Sequence, residues 1–194
     1  MHALSSSFVL GYHGCDKKVG EKILAGEKFR PSENEYDWLG SGIYFWEANP
    51  KRGLEFAREL IGRKKSKSKV ADPFVIGAVI DLRLCLDLTT SAGIAVVRSA
   101  YESLEGFMKK ADKPIPINNN DGLRRNLDCA VINLTHEIRR SNKEAEIDTV
   151  KGIFIEGGPI YPGAGFHEKT HIQISVRNPD CIKGVFRVSN NLIA

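Results

Sequence analysis

"FVLGYHGCDKKVGEKILAG", residues 8–26, passes from a strand pattern to a helix pattern, and that change decides the fold class. With Ser7 in front of it, the aromatic and branched run through His13 predicts a strand. From Asp16 onward the spacing predicts a helix, with Asp16 as N-cap, Val19, Ile23 and Leu24 on one face, and Gly26 as the stop. His13 is therefore expected at a strand end. "FRPSENEYDWLGSG" (29–42) is polar and broken by Pro and Gly, which predicts a loop. "IYFWE" (43–47) predicts a short strand. "NPKRGLEFARELIGR" (49–63) predicts a helix with Asn49 as N-cap, Pro50 in its first turn, and Leu54, Ala57, Leu60 and Ile61 inward.

"KKSKSK" (64–69) reads as a solvated basic loop. "PFVIGAVIDLRLCLDL" (73–88) suits one long buried strand or two in succession. Residues 92–111 and 123–142 carry helical spacing, separated by "KPIPINNNDG". "VKGIFIEG", "THIQISV" and "CIKGVFRV" close the chain as strands, hairpin-like in their succession. Strict alternation of strand and helix is missing, so the class is α+β. We read one domain over residues 1–194, with a helical insertion at about 91–148.

Composition narrows the function classes. Of the 194 residues 42% are hydrophobic, enough for one core, and 28 Lys plus Arg against 24 Asp plus Glu give a net charge of +4. That balance permits an anionic partner without requiring one. Cys15, Cys85, Cys129 and Cys181 form no CxxC pair, and the histidines lack zinc-site spacing, so no metal is expected. No apolar run approaches the roughly 20 residues needed to span a bilayer, and a soluble protein in a reducing, cytoplasmic setting is expected.

"YHG" (12–14) and "GSGIYFWE" (40–47) each have a bland reading, a satisfied histidine and a tight turn into a core strand. Taken together, with "PFVIGAVIDLRLCLDL" and "HIQISVRNPDCIKGVF", they resemble the catalytic domain of the poly(ADP-ribose) polymerase and diphtheria-toxin branch of the ADP-ribosyltransferases, marked by a His, Tyr, Glu signature. The resemblance covers about residues 7–90 and 150–188. It implies a split sheet with an NAD cleft between His13, Tyr44 and Gln173.

By similarity, His13 would bond the adenine-side ribose hydroxyls and Gly14 would offer its backbone to the nicotinamide carboxamide, an approach a side chain there would block. Tyr44 would stack on the nicotinamide ring, with Phe56 as a candidate for the opposite side of the sandwich. Arg30 is placed like a family residue that contacts the ADP part, where a guanidinium suits a pyrophosphate. Trp46 and Trp38 read as core and loop packing, and nothing around Cys15 suggests an activated thiolate.

The third signature position departs from the family: Gln173 stands where the glutamate is expected. An amide bonds a ribose hydroxyl but carries no charge against the oxocarbenium character that grows as the nicotinamide bond breaks. Polymer elongation is thereby disfavoured and transfer of one ADP-ribose unit is expected, to a protein or nucleic acid. Glu168 and Glu156 are the candidate replacement acids, "YPGAGFHEK" (161–169) is the candidate acceptor-recognising segment, and His171 would share a strand face with Gln173. A bacterial toxin or effector with a neutralising partner protein is one setting the resemblance implies. The rivals are an NAD or ADP-ribose binding module without chemistry, an NAD glycohydrolase, and a nucleic-acid-modifying toxin.

Overall fold

The computed structural model describes residues 8–62, 69–119 and 124–194. Most of the lysine run therefore lies outside the described residues. Seven strands and four helices follow in the order β1 (Phe8–Asp16), α1 (Lys17–Leu24), β2 (Ile43–Glu47), α2 (Pro50–Glu59), β3 (Pro73–Asp81), β4 (Cys85–Asp87), α3 (Ser91–Lys110), α4 (Asn126–Ser141), β5 (Thr149–Phe154), β6 (His171–Val176) and β7 (Ile182–Arg187). The class is α+β, as expected.

The strands make one sheet in the order β4-β5-β6-β2-β1-β3-β7, antiparallel except for β4 beside β5. The two separate halves expected from the resemblance are joined, but thinly. β1 and β3 align over nine residue pairs, whereas β1 and β2 align at Gly11–Glu47 and Tyr12–Trp46 alone. β7 corrects the expected closing hairpin: it lies against β3 at the far edge, not against β6. "PFVIGAVIDLRLCLDL" resolves into two strands, because Arg83 takes a positive φ of 45° between them.

Alternation along the strands builds two faces. Ile43, Phe45, Ala78, Ile80, Ile174, Val176 and Cys181 pack on one face. The other carries two clusters, one of Tyr12, Leu54, Val75 and Val188 under α2, and one of Leu39, Leu86, Ile132, Ile147, Val150 and Phe154 under α4. Each large apolar side chain fully buried in this way contributes about 1.5–3 kcal/mol. Within residues 91–148, α3 packs on α4, and α4 supplies Ile132 to the core. Among the described residues, no helix is long and apolar enough to cross a membrane.

The expected caps are in place. Asp16 accepts from Lys18 N, Asn49 accepts from Arg52 N, and Gly26 takes φ 105°. The buried face of α1 differs from expectation, since Gly20 and Ile23 turn inward while Val19 is exposed. A methyl on Gly20 would strike Phe74, so α1 lies too close to the sheet there for a larger residue, and Val19 faces water. α2 ends at Glu59, one turn early, which leaves Ile61 exposed.

Candidate functional site

His13 stands within β1, three residues short of its end, at the point where pairing with β2 stops. Its Nδ1 lies 2.8 Å from the Tyr44 carbonyl oxygen. A carbonyl only accepts, so Nδ1 carries the hydrogen. Burial, opposed by that bond, holds the His13 pKa below the ordinary value. The ring is therefore neutral near pH 7, and Nε2 is left with a lone pair. Phe29 and Phe45 flank it at 5.4 and 5.7 Å.

Tyr44 contributes its carbonyl to this contact, not its ring. Along β2 the Tyr44 side chain alternates with Phe45, so its ring and the His13 ring project from opposite faces of the strand. The phenol bridges the loop before β2, accepting from Leu39 N at 2.9 Å and donating to Gly40 O at 2.7 Å. Gly40 meets this turn with φ 73°. Burial first, and Asp37 second, raise the Tyr44 pKa well above the usual value, so the hydroxyl stays protonated.

Other expected site residues scatter. Gly14 is closed on its Cα side by α2: a Cβ there would sit 2.0 Å from Gly53 O, so the helix, not a carboxamide, excludes a side chain. Arg30 lies in the loop on the His13 side, its side chain 90% exposed and 3.6 Å from Glu27. Phe56 does not face Tyr44; its ring meets Trp46 at 4.8 Å, and Trp46, 3% exposed, fills the space beside it. Trp38 packs on Phe154 at 4.3 Å. Burial, and then Asp16, pushes the Cys15 thiol up to about 12, so it is no thiolate.

Gln173 shares the Tyr44 and Trp46 face, because Trp46 pairs with Gln173 and Tyr44 with Ser175. Its neighbours form a polar cluster in which Glu156 and His171 were expected and Arg52, Glu59 and Lys169 were not. Arg52 of α2, 5% exposed, donates to Glu156 Oε2 at 2.9 Å and to Glu59 Oε1 at 3.3 Å. Lys169 donates to Glu59 at 2.8 Å. The Arg52 guanidinium stands 5.9 Å from the Trp46 ring centroid. His171, 5% exposed, touches Gln173, its Nε2 lying 2.9 Å from Gln173 Nε2. A signal for Arg52 did exist: Arg52, Phe56 and Glu59 stand at i, i+4 and i+7 on one helix stripe.

Between the two candidate acids, the fold brings Glu156 to this cluster and leaves Glu168 aside. Glu168 is exposed and accepts from Gly158 N at 3.3 Å. Residues 156–169 fold back on themselves through Pro159 and His167, presenting Tyr161 and Phe166 at 54% and 68% exposure. Two surface hollows, of about 380 and 310 Å3, lie elsewhere: one around Thr90 and Arg98, the other around Leu54, Phe74 and Ile193.

No protein family matches this chain, and no solved structure does. An uncharacterized protein of Methanocaldococcus jannaschii is 25% identical over 192 residues, covering 89% of this chain and 83% of that protein. The likeness runs along almost the whole chain and brings no activity with it.

Proposed function

We propose that the protein is an NAD-dependent mono-ADP-ribosyltransferase that moves one ADP-ribose unit to a protein or nucleic-acid acceptor and releases nicotinamide. The observation that carries this reading is the seam between β1 and β2. Pairing there stops after Tyr12–Trp46, and His13 spans the opening to the Tyr44 carbonyl. Two signature positions thus meet at the seam, His13 by its ring and Tyr44 by its carbonyl, while the Tyr44 ring and Gln173 lie on the opposite sheet face. His13 fits the ligand chemically, since Nδ1 is occupied and Nε2 is an acceptor suited to a ribose hydroxyl.

NAD supplies the transferable ADP-ribosyl group and the pyridine leaving group. On the sheet face it shares with Tyr44 and Trp46, Gln173 would bond a ribose hydroxyl and Glu156 would stabilise charge, while the His13 ring lies on the opposite face beside Phe45. Glu156 acts at a discount, because Arg52 already holds its carboxylate. Slow transfer follows from that pairing. Incubation with labelled NAD and a cell extract tests the reading: labelled macromolecule with free nicotinamide supports it, while bound NAD without any labelled product or released nicotinamide overturns it.

A second reading is favoured by one observation, the amide of Gln173 in the acidic position with its NH2 tied to His171. On that reading the protein binds NAD or ADP-ribose and does no chemistry. Calorimetric binding with no nicotinamide release separates it from the enzyme, and free ADP-ribose without an acceptor identifies a glycohydrolase.

A further inference from the structure

His171 has both ring nitrogens engaged. Nδ1 lies 2.6 Å from Lys169 O, and because a carbonyl accepts, Nδ1 carries the hydrogen. In the neutral ring Nε2 is then an acceptor, so the contact to Gln173 Nε2 has one sense only: the amide NH2 donates. His171 and Gln173 stand two residues apart on one face of β6, which fixes them side by side. The ring, 5% exposed, has Trp46 at 6.4 Å and Phe154 at 5.9 Å, and its two hydrogen bonds hold its orientation.

We propose that His171 is a positioning residue that decides which end of the Gln173 amide is offered to a ligand. The neutral ring takes the NH2 and leaves the carbonyl oxygen as an acceptor for a ligand hydroxyl. A protonated ring would donate from Nε2, forcing the amide to turn over and offer its NH2 instead, a donor suited to an anionic oxygen. This rests on the reading that places Gln173 at the ribose, and it makes selection among hydroxyl-bearing and anionic ligands depend on pH. The charged groups that face His171 are Glu156 after β5, Arg52 and Glu59 of α2, and Lys169 in its own loop. Burial is the largest influence and lowers the His171 pKa; Glu156 and Glu59 raise it and Arg52 lowers it. The hydroxyl-accepting state is therefore the one present at neutral pH.

Nitrogen NMR of the full-length protein reads this directly. The Nδ1–H tautomer is expected at neutral pH, with a midpoint below the ordinary 6.5 and the Gln173 side-chain amide signals moving at the same midpoint. The opposite tautomer, or an amide that ignores the titration, overturns the proposal. Gln173→Glu puts a carboxylate at Nε2 and is expected to raise the midpoint above the wild-type value. Calorimetry with NAD supplies the second arm. His171→Phe should weaken binding about tenfold at neutral pH, the loss of one buried hydrogen bond, while His171→Gln, which keeps an acceptor, should restore most of it. NAD that binds equally well to His171→Phe overturns the positioning role. NAD that binds at no pH sinks the transferase reading alone, and the NMR arm then decides the proposal by itself.

Discussion

A methyl group added at Gly14 would lie 2.0 Å from the Gly53 carbonyl oxygen and 3.4 Å from the Ala57 methyl. β1 and α2 therefore meet backbone to backbone one residue beyond His13. Gly14→Ala must push the helix away from the sheet, at a cost of about 1–3 kcal/mol. Thermal unfolding should show a clearly lowered Tm. An unchanged Tm would mean that the contact yields freely. Loss of NAD binding in this variant reports packing before it reports a lost ligand contact.

Arg52 is the hub of the buried charges. Truncating one partner of a buried ion pair leaves the others uncompensated, so Arg52→Met should destabilise by about 3–5 kcal/mol. The double variant Arg52→Met with Glu156→Gln should recover part of that loss, because it removes the carboxylate that Arg52 pairs, while Glu59 keeps Lys169. Urea unfolding of both variants checks the order. Equal stability of the single variant and wild type would show that the cluster is solvated.

Tyr44→Phe keeps the ring and deletes the hydroxyl that joins Leu39 N to Gly40 O. Leu39 is 1% exposed, so its N–H loses its partner away from water. A loss of about 1–3 kcal/mol is expected in denaturant unfolding. If NAD binding survives in the same variant, the hydroxyl is structural and any contribution to a ligand comes from the ring.

Acid sensitivity should be strong at His136, which burial, helped by Arg177, Arg140 and Arg139, holds at about 3. Above pH 6.5 its ring is neutral in folded and unfolded chains alike. Below that value the unfolded chain takes up a proton that the folded chain refuses, so stability falls until pH approaches about 3. The slope is at most about 1.4 kcal/mol per pH unit for one group. His136→Leu removes this titration along with a buried Nε2 that lacks a hydrogen-bond partner, and should flatten the fall in Tm between pH 6.5 and 4. Parallel profiles for variant and wild type would rule the group out.

Much of the fold was legible because its signals are local. Asp16, Asn49 and Gly26 act within one turn of their own position, and the strands of 73–88 and 149–187 announce themselves by apolar runs. Two elements were misjudged for a shared reason. Val19 looked inward by spacing until the closeness of Phe74 to Gly20 set the angle of α1, and β7 looked like a hairpin partner of β6 until β3 offered it an open edge. The candidate site was legible only as residue types. That His13 would reach the Tyr44 carbonyl and not its ring, and that Phe56 would meet Trp46, depends on which side of a strand each residue takes.

By itself the sequence determined the α+β class, the element order and the caps at Asp16, Asn49 and Gly26, since these follow from short-range periodicity and backbone chemistry. The tertiary structure alone decided that β1 and β2 part after two pairs, that Arg52 is buried between Glu59 and Glu156, and that Gln173 leans on His171. The Arg52–Glu156 contact joins segments 104 residues apart, and no local pattern encodes it, because which carboxylate meets that cation is fixed only when the sheet has set where the end of β5 stands against α2.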